Sequence, residues 1–565
     1  MLTRVLSAAL VGIDAYLVEV EVDLAGGLPC YQLVGLPATA TVEGRVRIRA
    51  ALENSGLAIP PRKVSVNLAP ADVRKDGAAF DLPIAVGIVA AAGLLGQGRL
   101  GSFLLLGELS LSGAIKPVRG ALSVAILARA RGLEGVIVPR VNAAEAALVR
   151  GVRALGAATL AEVVAFLAGA GTLPEAAAGV VLGPDGEAGV VPGTGAVPGP
   201  GAGDGLAAGG SVGEDDLRDV RGQEEAKRAL EIAAAGGHNL VLVGEPGCGK
   251  TMLARRLPSI LPALGPEEAL AVTRVHSVAG ALGGAALCTR RPFRAPHHSI
   301  SAAGLVGGGP SCRPGEVSLA HLGVLFLDEL PEFNRAALEA LRQPLEDRRV
   351  NLVRVQRSVT FPAAFTLVAA ANPCPCGFLG STVRTCTCSP GAIARYRARL
   401  SGPLLDRIDL QVAVHPAPFA ALRGPPAGEG SAAIRARVEA ARDLQRRRLA
   451  AAGLSCNAQM STGLVQRHCP LDSLGAEVLE RSVRRDGLSA RGVDRVRKVA
   501  RTIADLRGAA AIDGRDVMRA LAYRVLDREP LDQAWGPGST GSGAGPAVAG
   551  GASPALTVAT VAGAA

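Results

Sequence analysis

Positions 244 to 251 read Gly244, Glu245, Pro246, Gly247, Cys248, Gly249, Lys250 and Thr251, a permissive backbone carrying one cation and one hydroxyl. An apolar run at 239–243 precedes them and a helix-forming run at 252–256 follows. A strand, a glycine-rich turn and a helix start in that order build a loop whose N–H groups close around phosphate oxygens. The helix N-terminus adds its positive end. In such a loop Lys250 reaches the β- and γ-phosphates and Thr251 holds Mg2+ through its hydroxyl. ATP and Mg2+ are therefore the expected ligands.

A second apolar strand, 323–327, ends in Asp328 and Glu329. Behind a phosphate loop, two such acids divide the work of hydrolysis. Asp328 completes the Mg2+ shell and Glu329 polarises the attacking water. A third apolar strand, 365–371, ends in Asn372, an amide that could orient that water from the side opposite Glu329. Arg407 follows a basic helix and lies between Asp406 and Asp409. It could act as an arginine finger, reaching across a subunit interface to stabilise charge on the transferring phosphoryl group. It could equally be a structural partner of either acid.

The elements that position these groups follow from composition and pattern. A chain of 565 residues is too long for one core, so several domains are expected. With 49% hydrophobic and 19% charged residues it reads as mostly globular. The net charge of +10 permits a polyanionic partner, although the prevalence of Ala, Gly and Arg also reads as codon bias. Residues 1–168 mix strands (20–24, 64–68, 135–139) with helices (41–54, 82–92, 118–131). Residues 169–212 are dominated by Gly, Pro and Ala with almost no large side chains, a flexible linker. An α/β domain is expected over 213–425, a helical segment over 426–530 and a disordered tail over 531–565.

The start of the chain superficially resembles a signal peptide, yet residues 16–23 alternate apolar and acidic like a half-buried strand. It is read as the first hairpin of a soluble domain. The run 82–96 is too short and glycine-interrupted to span a bilayer. A cytoplasmic location with no membrane contact follows, and the ten cysteines should be reduced thiols or metal ligands.

The order of phosphate loop, acidic strand, Asn372 and Arg407, preceded by Val220-Arg-Gly-Gln223, resembles an AAA+ ATPase. The stretches 291–298, 313–321 and 372–377 (Asn-Pro-Cys-Pro-Cys-Gly) resemble its magnesium-chelatase-like branch. That resemblance implies a P-loop α/β core with a helical C-terminal lid carrying a second sensor arginine. The matching helix begins at Leu488, which puts the sensor at Arg491, with Arg495 as the alternative.

Residues 64–71, Asp76-Gly77 and 107–113 resemble an α+β Lon-protease-type domain. Lon pairs a serine with a lysine, and a serine attacks only when a neighbouring base takes its proton. Here Ala79 stands at the serine position and Leu122 at the lysine position, while Lys75 and Lys116 have no nucleophile to activate. A docking or scaffold role is expected, without Ser–Lys proteolysis.

A Lon-like domain ahead of a chelatase-type AAA+ module resembles the YifB/ComM family. The resemblance implies a homo-oligomeric ring, a hexamer, acting on single-stranded or branched DNA as a helicase that promotes branch migration. Recombination proteins are its implied partners. A hairpin over 350–362 would carry Arg354 and Arg357 into the pore to grip phosphates, or would be a solvated hairpin. Residues 300–309 read as a second pore insert. Rival readings are the motor subunit of a metal chelatase, an ATP-dependent protease and a chaperone-like remodeller.

Cys374, Cys376, Cys386 and Cys388 form two Cys-x-Cys pairs. Four thiolates so close could take a tetrahedral Zn2+, although fingers usually leave two or more residues within a pair. The alternative is a reduced loop stiffened by proline. His297 and His298 read as a loop pair near the pore or the nucleotide.

Overall fold

The computed structural model describes residues 2–57, 62–71, 75, 77–177, 180–182, 188–190, 216–309, 312–354, 357–381, 384–400, 402–417, 428–524 and 526. β1 (Leu2–Val11) and β2 (Asp14–Ala25) pair antiparallel, from Leu2 with Asp23 to Val11 with Asp14. Alternation sets the faces: Val18, Val20, Val22 and Leu24 are buried, while Glu19, Glu21 and Asp23 stay partly exposed. β3 (Cys30–Val34), α1 (Thr39–Asn54) and β4 (Lys63–Ala69) follow, giving the sheet order β1-β2-β4-β3. α2 (Asp81–Ala91) is buried along its whole length against β1 and β2, where Gly87 makes room for Val22.

A second, parallel sheet comprises β5 (Phe103–Leu105), β6 (Gly135–Pro139) and β7 (Arg153–Ala157), with α3 (Ala121–Ala130) between β5 and β6 in the chain. Residues 169–177, expected to open the linker, instead stay with this domain. Leu173 is buried, and the chain runs beside β7 through Gly156 N–H to the Pro174 carbonyl and Ala176 N–H to the Ala154 carbonyl, both 2.9 Å. One buried apolar side chain and two backbone hydrogen bonds thus hold these residues to the domain beyond 168. A short hairpin pairs 180–182 with 188–190. The other residues expected in the linker, and the expected tail at 531–565, lie outside the described residues.

The nucleotide-binding domain begins with α4 (Glu224–Gly236), β8 (Leu240–Gly244), α5 (Lys250–Ile260) and α6 (Pro266–Ala279). β9 (Phe293–Arg294) and β10 (Val324–Leu327) come next, then the hairpin of β11 (Arg349–Arg354) and β12 (Arg357–Pro362). β13 (Thr366–Ala371), α7 (Pro390–Ala398) and β14 (Leu410–Val414) complete it. The central sheet has the order β9-β10-β13-β8-β14, with every pairing parallel. β8 is buried at every residue, as a parallel strand covered on both faces must be.

The lid is helical: α8 (Ser431–Leu449), α9 (Ser473–Asp486), α10 (Ala490–Leu506) and α11 (Gly514–Ala522). It shares one apolar core with α4 and the sheet. Polar groups at this seam are paired. The fully buried His238 lies 2.9 Å (Nδ1) from Asp409 and 2.8 Å (Nε2) from the Thr502 hydroxyl, and Arg495 donates to Asp409 at 2.8 Å. Burial alone would raise the Asp409 carboxyl, but Arg495, then His238, hold it well below the usual carboxylate range. On the other side, α6 meets the N-terminal domain. Arg274 donates to the Ile13 carbonyl at 3.1 Å and pairs with Asp14, and the Ser277 hydroxyl donates to buried Glu145. Among the described residues no helix is long and apolar enough to cross a membrane.

Asp409→Ala would leave Arg495 and the Nδ1 of His238 without their carboxylate at the seam and is expected to cost about 3 kcal/mol, read as a lower urea midpoint at unchanged slope. Because the folded pKa is depressed, the wild-type advantage is complete above about pH 4 and shrinks as pH falls through the folded value.

Candidate active site

The phosphate loop forms where β8 ends and α5 begins. Its turn needs left-handed backbone at Gly247 (φ +79°) and Gly249 (φ +93°), which glycine alone adopts freely. Lys250 is about nine-tenths buried, and its Nζ donates to the carbonyls of Gly244 and Glu245, each at 2.8 Å, and to Asn372 Oδ1 at 3.1 Å. Burial lowers the pKa of this ammonium. The Gln223 side-chain amide donates to the Cys248 carbonyl at 3.3 Å, tying the stretch before α4 to the same loop.

The acids stand at the end of β10, two strands away from β8. The Thr251 hydroxyl donates to Asp328 Oδ2 at 2.7 Å. Asp328 Oδ1 also accepts the Glu329 N–H at 3.0 Å. Glu329 is exposed and adopts φ +53°, so its carboxylate is turned out of the strand line. His298 Nδ1 lies 3.4 Å from Glu329 Oε2, its ring 4.1 Å from that of His297 and edge-on to Phe333. The sequence pointed to this histidine pair without a role; only the parallel pairing of β9 with β10 brings His298 to the acid.

These residues fit Mg·ATP. A buried ammonium faces the loop carbonyls, and a hydroxyl–carboxylate pair beside it offers the hard oxygen donors that Mg2+ prefers. Thr251 and Asp328 would hold the ion, which when bound neutralises phosphate charge. Lys250 would meet phosphate, Asn372 accepts a hydrogen bond from Lys250, and Glu329 presents a carboxylate that could take a proton from water.

Arg407 does not pair with Asp406 or Asp409. Its guanidinium donates to Glu346 at 2.5 Å and to the Pro403 carbonyl at 2.6 Å, while Nε, buried, has no partner among the described residues. Arg407 lines a cleft of 320 Å³ with Glu346, Asp409, Arg491, Arg495 and Lys498, and no residue of 244–251 contributes to it. Arg495 is engaged by Asp409. Arg491, in the first turn of α10, is exposed and has no hydrogen-bond or ion-pair partner among the described residues.

The four sulfurs of Cys374, Cys376, Cys386 and Cys388 lie within 4.8 Å of one another. Burial pushes the Cys376 thiol up, but the N–H groups of Phe378 and Thr387 outweigh it and bring it down to about 6. The hairpin β11–β12 pairs from Arg349 with Pro362 to Arg354 with Arg357. The side chains of Arg354 and Arg357, and residues 355–356, lie outside the described residues. The expected insert at 300–309 holds a short helix, Ala302–Val306. In the N-terminal domain Lys75 is buried and donates to the Pro70 carbonyl, Lys116 pairs with Glu108 at 3.4 Å, and Leu122 is part of the core.

Comparison with known proteins covers most of the chain. Residues 216–422 match the family model for magnesium chelatase, subunit ChlI, residues 20–142 that for subunit ChlI of Mg-chelatase, and residues 428–524 that for the ChlI C-terminal part. The protein YifB of Salmonella typhimurium is 42% identical over 521 residues, covering 92% of this chain and 96% of its own. The competence protein ComM of Haemophilus influenzae is 43% identical over 529 residues, covering 93% and 98%. Lon protease 2 of Bacillus subtilis is 31% identical over 150 residues, 24% of this chain and 26% of its own.

Glu329→Gln is expected to keep nucleotide affinity while lowering phosphate release by about 10²–10⁴-fold. Lys250→Ala should lose the affinity itself, measured with a fluorescent nucleotide.

Proposed function

Because this chain belongs to the YifB/ComM family of magnesium-chelatase-like AAA+ ATPases, we propose that it closes into a hexameric ring, moves on single-stranded or branched DNA, and promotes branch migration in recombination or natural transformation. The observation that carries this reading is the cleft shared by Arg407 and Arg491, built without the chain's own phosphate loop. Two arginines in a cleft that no residue of 244–251 lines suit the γ-phosphate of a neighbouring protomer. In this reading Asn372 and Glu329 act on the home nucleotide, Arg407 is the finger and Arg491 the sensor. The Glu346 carboxylate holds the finger until phosphate takes its place.

The net charge of +10 and the hairpin ending in Arg354 and Arg357 support a polyanionic track. ComM carries the name of a competence protein, which fits work on incoming DNA alongside recombination proteins. The reduced thiols suit a cytoplasmic protein. The Lon-like domain serves as a docking platform, its α6 interface holding it against the motor. A chelatase motor is the second reading, favoured by the three ChlI-type matches; ATPase stimulation by a porphyrin-binding partner instead of DNA would select it.

Wild type should unwind three- and four-way DNA junctions with ATP, and Glu329→Gln should bind them without unwinding. Mixing inactive Arg407→Ala and Lys250→Ala chains should restore turnover at about a quarter of the interfaces of a random ring. A protein that stays monomeric with nucleotide and recovers nothing on mixing contradicts the ring. Arg357→Ala should lower the salt slope of DNA binding by about one.

A further inference from the structure

We propose that Cys374, Cys376, Cys386 and Cys388 hold one zinc ion, and that this centre fastens the strand end carrying Asn372 to the phosphate loop. Tetrahedral Zn2+ with Zn–S bonds of about 2.3 Å sets its sulfurs about 3.8 Å apart. Here Cys374 and Cys376 are 3.4 Å apart, Cys376 and Cys386 3.6 Å, and Cys374 and Cys386 3.7 Å. A disulfide needs about 2.0 Å, so the spacing is that of sulfurs around an ion and not of sulfurs bonded to each other. The Cys376 N–H points at the Cys388 sulfur at 3.4 Å, the kind of outer contact that steadies a thiolate ligand.

The stretch also needs a staple. From the end of β13 at Ala371 to the start of α7 at Pro390 the described residues contain no helix or strand. That exceeds the roughly 12–15 residues beyond which structureless loops become uncommon. Burial anchors the stretch at Pro373, Cys374 and Gly377, while Cys376, Cys386 and Cys388 stay only partly buried.

Its position gives the staple a task. Cys374 lies two residues after Asn372, whose amide oxygen receives Lys250. Gly377 presses on the loop so closely that a Cβ there would come within 2.6 Å of the Pro246 ring, and its φ of +83° is one that glycine accepts. The Ser381 hydroxyl donates to Glu245 at 2.9 Å. Cys388 immediately precedes Ser389, which caps α7. One ion therefore ties strand end, phosphate loop and helix start together. The fastening role rests on the ATPase reading; the metal does not.

The test uses the full chain without a histidine tag. Elemental analysis should find about one zinc per chain, released when a mercurial blocks the thiols, and the cobalt-substituted protein should show the visible and thiolate charge-transfer bands of a tetrahedral tetrathiolate. Cys388→Ser, at a half-buried position, should weaken zinc by at least the 10–100-fold that loss of an outer-shell partner costs, and lower nucleotide affinity severalfold. Cys386→Ser serves as a second variant should that one not fold. Four freely titrating thiols with no zinc and no cobalt spectrum would overturn the site. Zinc loss in the variants with unchanged nucleotide affinity would overturn the fastening. A zinc-loaded wild type that neither binds nor hydrolyses ATP would overturn the ATPase reading alone.

Discussion

All five strands of the nucleotide-binding sheet run parallel, so their carboxyl ends share one edge, and the chemistry has to be assembled there. β8 delivers the phosphate loop, β10 the acids, β13 the amide and β9 the approach to His298. Pairing sets the offsets: Val243 stands opposite Ala371, and Leu327 opposite Ala369. Residues far apart in the chain thereby come within a hydrogen bond, Lys250 with Asn372 and Thr251 with Asp328.

This explains which parts were legible in the sequence. The phosphate loop, the acidic strand end and Asn372 are local patterns, each a strand followed directly by its functional group. Several helices and strands were legible for the same reason: periodicity in β2 and an unbroken apolar run in α2 are properties of neighbouring residues. The partner of Arg407 was not. Asp406 and Asp409 are its neighbours in sequence, yet Glu346 reaches it across the fold and Asp409 is taken by His238 and Arg495. Arg495 is engaged by that same carboxylate while Arg491 is not, a contact invisible until the lid is docked. The extension of the first domain to 177 rests on Leu173 and two backbone hydrogen bonds to β7, too little to shift a composition average.

Polar contacts join the N-terminal domain to the nucleotide-binding domain. Arg274 and Ser277 on α6 meet Ile13, Asp14 and Glu145, and burial raises the Glu145 carboxyl above its ordinary value even with the Ser277 hydroxyl donating to it. The turn at Gly12 abuts the middle of β12, and a Cβ added to Gly12 would come within 2.7 Å of Val359.

The backbone of Glu329 has a consequence for how this protein can change. Its left-handed conformation costs a side-chain-bearing residue about 1–2 kcal/mol, whereas glycine enters it freely. Drift toward a sturdier fold would thus tend to delete the carboxylate assigned to the water. If Glu329 acts on the water as proposed, robustness and turnover would pull in opposite directions at this position.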